Sequence, residues 1–185
     1  WPASVAAVLA LVALGRTTNQ QVGYWLNSRT LFAHAAAVTT GNYLALGGIG
    51  IDDAQRGNWT GAMTNLTRAL EFARQHHAEG AINYYLGVAL QMQGQGLTAL
   101  PYLESAVVSA ELRPERDYRL GLSLIEANRL PEAEASLKSA LGAKPDQVEF
   151  NLGLAALLFR QGEAAQAEHL YRGVLASHPD SSVAQ

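Results

Sequence analysis

From Pro114 to Pro179 the sequence repeats itself at a spacing of 34 residues without a gap. Pro145 and Pro179 mark the register. Leu120, Ala133, Leu137 and Ala140 of the first block fall on Leu154, Ala167, Tyr171 and Val174 of the second, and Asn128 falls on Gly162. No other feature restricts the fold as much. A unit of this length holds one helix–turn–helix, cannot bury its apolar face alone, and must stack on its neighbours. The same signature recurs upstream as Ile49-Gly50, Gly57, Ala62, Leu66 and Ala69, and again as Leu86-Gly87, Gly94, Ala99, Leu103 and Ala106. Full units therefore begin at Tyr43, Gly80, Pro114 and Val148. One register further back, Gly23, Trp25, Ser28, Phe32 and Ala35 match Gly57, Trp59, Ala62, Leu66 and Ala69, so the second helix of a preceding half unit is expected there.

A large apolar residue at the seventh position, small ones at the eighth and twentieth, and proline at the thirty-second make this unit resemble the tetratricopeptide repeat. The resemblance implies an all-α, right-handed solenoid of antiparallel helix pairs, four complete and one half, that binds a protein or peptide segment and carries no chemistry. Turns are expected near Gly57, Gly94, Asn128 and Gly162, where glycine or asparagine can take the left-handed cap. Three surplus residues in the first unit, around Gln75 to Glu79, predict a second helix about a turn longer than its counterparts. Pro101 is expected to delay or bend its helix, and Pro131 to be tolerated near the start of its own.

The chain divides into an apolar segment over 1–16, a junction with the half repeat over 17–42, and the array over 43–185. Trp1 to Gly15 is uncharged and almost wholly apolar; fifteen helical residues reach roughly 22 Å, about two-thirds of a bilayer span. It reads as the end of a transmembrane helix, with a signal peptide and a buried apolar helix as the open alternatives. The lack of Met and of a basic region before it speaks against the signal peptide. Few basic residues follow it, which places the array on the non-cytoplasmic side. Tyr24-Trp25, Ser28, Leu31-Phe32, His34-Ala35, Val38-Thr39 and Asn42 resemble the junction between the last membrane helix and the repeats in bacterial multi-pass proteins related to dolichyl-phosphate-mannose–protein mannosyltransferases. That resemblance implies the periplasmic face of a bacterial inner membrane, and a parent enzyme whose acidic catalytic residues lie outside this chain. Gly47-Gly48-Ile49-Gly50 stands where that family has Asn-Asn-Leu-Gly, and makes the first helix of its pair the softest by propensity. A soluble adaptor, and a module that positions an acceptor polypeptide for the enzyme, remain as other readings.

With 16 acidic and 13 basic residues, a net charge of −3 and no basic cluster, the chain lacks the footprint of a nucleic-acid binder. Cysteine is absent, so disulfides, thiolate metal sites and cysteine nucleophiles are excluded. His76-His77 point about 100° apart on a helix and have no partner at i+4, so no metal and no cofactor is expected. Asp52-Asp53 reads as a solvated acidic edge. Asn58-Trp59-Thr60 and Asn65-Leu66-Thr67 match a glycosylation sequon but occupy packing positions. The resemblance to tetratricopeptide repeats places the ligand groove on the first helix of each pair. In this register its lining is Ile51 and Gln55, then Tyr84, Val88 and Met92, then Tyr118, Leu122 and Glu126, then Leu152, Phe159 and Arg160. No asparagine occupies the ninth position, so a clamp for acidic chaperone tails is not expected. Tyr84 and Tyr118 are the expected anchors, filling of the inner curve by both tyrosines being the alternative, with Glu126 and Arg160 setting the direction of the bound segment.

Overall fold

The computed structural model describes Leu14, Thr18 and residues 21–177. The apolar helix expected over 1–16 lies, Leu14 apart, outside the described residues, and among those described no helix is long and apolar enough to cross a membrane. The described residues contain helices and no strand. In chain order these are α1 (Ser28–Val38), α2 (Tyr43–Gln55), α3 (Trp59–Ala73), α4 (Gly80–Met92), α5 (Gly96–Glu104), α6 (Arg113–Glu126), α7 (Leu130–Ala143), α8 (Val148–Arg160) and α9 (Ala164–Ser177), preceded by helical residues 21–24. They fall into two compact units, one ending at His76 and one beginning at His77.

Four helix pairs follow the register, and each second helix starts at the seventeenth position of its unit: Trp59, Gly96, Leu130 and Ala164. The turn before it contains the predicted left-handed residue, Gly57 (φ 75°), Gly94 (71°), Asn128 (57°) or Gly162 (85°). Close packing at fixed places holds each pair together. The small residues of the twentieth position, Ala62, Ala99, Ala133 and Ala167, are buried, as are Leu66, Leu103 and Leu137 four residues on. A Cβ on Gly50, Gly87 or Gly121 would stand 2.6, 2.7 or 2.7 Å from Cγ of those leucines, sixteen residues downstream in every case. Position 8 thus meets positions 20 to 24, while Ser139 at position 26 bonds Asp117 at position 4. The sums of these positions stay nearly constant, so the two helices run antiparallel.

The glycines of α2 are packing positions as well as a cost in helix propensity. Gly50 receives Leu66, and Gly48 receives the ring of Phe32 from α1, where a Cβ would approach to 2.5 Å. Phe32 thereby stacks on the following pair as Leu137 does on Gly153, also sixteen residues on. The half repeat is present but starts late. Gly23 lies in a helical stretch, Trp25 in a turn with 72 % of its surface exposed, and α1 begins at Ser28 behind an Asn27/Thr30 reciprocal cap.

Two local expectations are corrected. The surplus after α3 forms a 3-10 turn, Arg74–His76, and a left-handed His77 (φ 51°), in place of a longer α-helix. Of the delay or bend expected of Pro101, the delay does not occur, since α5 starts in register at Gly96; the helix ends early, at Glu104, while α7 runs to Ala143. The missing N–H of Pro101 removes only the bond back to residue 97; beyond it the backbone N–H of Ser105 still reaches the Pro101 carbonyl at 3.2 Å, and the Ser105 hydroxyl reaches the same carbonyl at 2.8 Å. Pro131, in the first turn of α7, is accommodated there.

Candidate peptide-binding face

On the first helix of a pair, positions 5, 9, 12 and 13 share one stripe, because residues four, seven and eight apart are neighbours on a helix surface. In the second unit α6 packs on both α4 and α8, so three such stripes lie side by side. Along each of them exposure rises towards the C-terminal end of the helix. Tyr84 is 5 % exposed and Met92 47 %; Tyr118 and Leu152 are half-buried, while Glu126 is exposed and Phe159 is 67 % exposed. Val88 is half-buried, and Leu122 packs with Tyr118 against the cluster of Leu124, Leu137 and Leu157. Ile51 and Gln55 sit on α2 in the first unit, half-buried and exposed respectively.

Both tyrosines are in contact with neighbouring rings. Tyr84 meets the edge of Tyr85 at 5.0 Å between centroids. Tyr118 stacks on Phe150 at 4.8 Å, has the Arg119 guanidinium 5.6 Å over its ring, and covers Gly153. Both tyrosines are thus held by neighbours, Tyr84 buried and Tyr118 half-buried, and Phe159 is the most exposed ring on this face. The two charges are also engaged. The Glu126 carboxylate lies where a Cβ on Gly96 would stand, beside the first turn of α5, whose own N-cap Gln95 makes no side-chain bond. A carboxylate there complements the helix dipole. Arg160 Nη2 donates to the Ile125 carbonyl at 3.5 Å. Arg119 Nη1 donates to Met92 Sδ at 3.8 Å and Arg119 Nε to Glu115 at 3.1 Å. Sequence reasoning missed Gln91, which joins α4 to α6 by donating to the Arg119 carbonyl and the buried Ser123 hydroxyl at 2.6 and 2.7 Å.

Burial pushes the Tyr84 phenol up to about 12, because the phenolate is the form that loses hydration. A folded value above the unfolded one means that Tyr84 contributes in full below about pH 10 and that its contribution disappears as pH rises from there through about 12. Tyr84→Phe is expected to flatten the decline in stability over that window, read as urea midpoints at successive pH values. Parallel curves for the two proteins would show that Tyr84 does not titrate in the folded state.

The first unit holds a polar cluster where a solvated acidic edge was expected. Asp53 is 2 % exposed and accepts from Arg29 Nη1 at 2.8 Å, Asn58 Nδ2 at 3.2 Å and Asn65 Nδ2 at 3.1 Å. Asp52 pairs with Arg29 and Arg56, and the hydrogen bond from Arg29 holds its carboxyl below the usual range. Asn58 also caps α3 through Gly61 N–H, so both sequon asparagines are in structural use. The signal was available in the register, since Asp53 stands at the position of Leu90, Leu124 and Leu158, and a residue at a core position is buried whatever its charge. His76 stacks on Tyr43 at 5.1 Å. Among the described residues no three His, Asp or Glu side chains gather as a metal site.

The family model for the tetratricopeptide repeat matches residues 124–185. No curated protein matches the chain. Solved structures match it as folds. YrrB, described as a TPR protein with an unusual peptide-binding site, is 20 % identical with a TM-score of 0.71 over 93 % of this chain and 85 % of its own. MamA from Desulfovibrio magneticus RS-1 is 20 % identical with a TM-score of 0.67, over 92 % of this chain and 96 % of its own. A tetratricopeptide repeat protein from Parabacteroides merdae is 18 % identical with a TM-score of 0.65, over 95 % and 68 %. The fold is thus a helical repeat of the tetratricopeptide type.

Proposed function

We propose that this chain is a non-catalytic scaffold that holds a polypeptide segment against the first-helix face of its repeats, in a right-handed solenoid tethered to a membrane by its apolar start. The observation that carries the binding role is the open end of the stripes, where Met92 and Phe159 remain exposed on helices whose other faces are packed. Large flexible or aromatic side chains offered in this way are what a partner's apolar residues can bury. YrrB, similar in fold, has a peptide-binding site, which supports the same use here. In this reading Met92, Leu122 and Phe159 supply contact, Leu152, Val88, Tyr84 and Tyr118 shape the floor, and Glu126 and Arg160 border it; Ile51 and Gln55 hold the equivalent positions on α2 within the first unit. The apolar run and the junction motif support a further step, that the chain is the C-terminal tail of a glycosyltransferase-like membrane protein facing the periplasm.

Site-directed photocrosslinking in cells tests the binding role, with p-benzoylphenylalanine at 159 or 92 and, as reference, at the exposed Arg172 on α9. Adducts from 159 and 92 that are absent from 172 are expected, and Phe159→Ala should weaken the captured partner by more than about 1 kcal/mol, or fivefold. Adducts from 172 alone would move the site to the second helices. Tethering is tested separately: the chain should stay with membranes in alkaline carbonate and be cleaved by protease added to spheroplasts, and release into the supernatant would remove the tether without touching the binding role.

A further inference from the structure

Register positions 4 and 26 face each other across a helix pair, and in the second unit both are polar in two consecutive repeats. In α6/α7 they are Asp117 and Ser139, joined by a hydrogen bond of 2.7 Å from the hydroxyl. In α8/α9 they are Asn151 and Gly173, and Asn151 turns to donate to the carbonyls of Pro145 and Gln147 at 2.9 and 3.0 Å. In α4/α5 they are Asn83 and Ser105, and these do not meet. Here α5 ends at Glu104, and Ser105, just past its end, gives its hydroxyl to the Pro101 carbonyl. Asn83 is left 5 % exposed, with no side-chain hydrogen bond, in the wall of an open crevice of about 550 Å³. His77, Glu79, Gly80, Ser105 and Val107 stand in the same wall, with two alanines between them. The Asn83 amide opens onto the crevice without a protein partner, whereas the residues at the same position in the two following repeats each have one.

We infer that this crevice receives the guanidinium of an arginine side chain carried by a bound polypeptide. Glu79 is the only carboxylate in the wall, neither Lys nor Arg lines it, and His77 is its one other titratable group, so the permanent charge offered there is negative and suits a cation. Asn83 Oδ1 and the Ser105 hydroxyl add two acceptors, Asn83 at depth and Ser105 near the rim. Three acceptors in different directions suit a planar fork of donors better than the point charge of lysine. The inference rests on the polypeptide-binding reading for its biological occupant, but the chemistry of the crevice can be tested without a partner.

The full chain, 15N-labelled in non-ionic detergent, is titrated with N-acetyl-arginine amide and, in parallel, with the lysine and citrulline amides. Saturable shifts of the Asn83 side-chain amide and of the Glu79 and Ser105 N–H signals are expected with arginine. Citrulline, the same shape without the charge, should bind at least tenfold more weakly, as should arginine to Glu79→Gln, a change at the half-exposed rim that leaves folding intact. Asn83→Leu should abolish saturation. Absence of a saturable shift with arginine, or equal affinity for citrulline, would overturn the assignment. Crosslinking from position 159 separates the two proposals: retained adducts without guanidinium binding leave the scaffold and remove this site, and the converse leaves the site and removes the scaffold.

Discussion

Gly121→Val is expected to unfold the α6/α7 pair at denaturant concentrations well below those of the unaltered protein, with a loss of about 3 kcal/mol or more. A methyl at this position already lies 2.7 Å from Leu137 Cγ and 3.5 Å from the Ala133 carbonyl, and Leu137 is fully buried with no space to retreat into. Overpacking costs about 1–3 kcal/mol even for small insertions, and valine adds two further methyl groups on a stiff χ1. Gly121→Ala sets two effects against each other, a helix-propensity gain of about 0.5–1 kcal/mol and the collision with Leu137, and the collision wins by its larger magnitude. Gly142→Ala is the internal control. It lies in α7, where an added Cβ meets nothing within 4 Å, so only the propensity gain operates and stability should rise. Urea unfolding followed by helical circular dichroism measures all three, with midpoints compared in place of a single global free energy because repeat arrays need not unfold in one step. A Gly121→Val protein as stable as the parent would mean that position 8 does not hold the pair together.

The same geometry explains what the sequence discloses. Turns and helix starts were readable because each is imposed by one residue type at one place: only glycine or asparagine enters the left-handed region easily, and only a small residue fits under Leu66, Leu103 or Leu137. Side chains that exchange water for neighbours were harder to read. Tyr84 and Tyr118 carry the composition of an interface anchor and also of a core, and the decision depends on Tyr85, Phe150 and Arg119, which surround them in space. The early end of α5 was hidden for a related reason. Proline inside a helix announces a disturbance, but whether the helix starts late, bends or stops depends on what the next residues can bond, and Ser105 bonds backwards. Asp53 was misread because its charge was weighed ahead of its register.

Arg29→Met is expected to lower the urea midpoint of the first unit, because the buried Asp53 loses its charged partner, with part of the loss offset by water that already reaches the 40 % exposed Arg29 side chain. Asp53 keeps two amide donors, from Asn58 and Asn65, but loses the only charge that compensates it, at a residue 2 % exposed. Asp52 remains with Arg56, on the exposed side of the cluster, so its loss adds little. Asp53→Ala removes the charge itself and takes one acceptor from two asparagine amides, of which Asn58 is open to water and Asn65 keeps the Gly61 carbonyl, so it should cost less than Arg29→Met. Replacing both partners, as Arg29→Met with Asp53→Leu, restores the leucine that the other repeats carry at this position and should recover much of the loss, because an apolar pair needs no compensation. The double variant separates a polar cluster that stabilises from one that merely satisfies itself. Acid gives an independent reading: Asp52 is held below the ordinary carboxylate value by Arg29, so its share of stability is complete above about pH 4 and is lost as pH falls through its lowered value. The gap between parent and Arg29→Met should therefore narrow on acidification. Urea midpoints at neutral pH and at about pH 3 measure it, and a gap that stays constant or widens would show that Arg29 contributes by packing of its methylenes and not by charge.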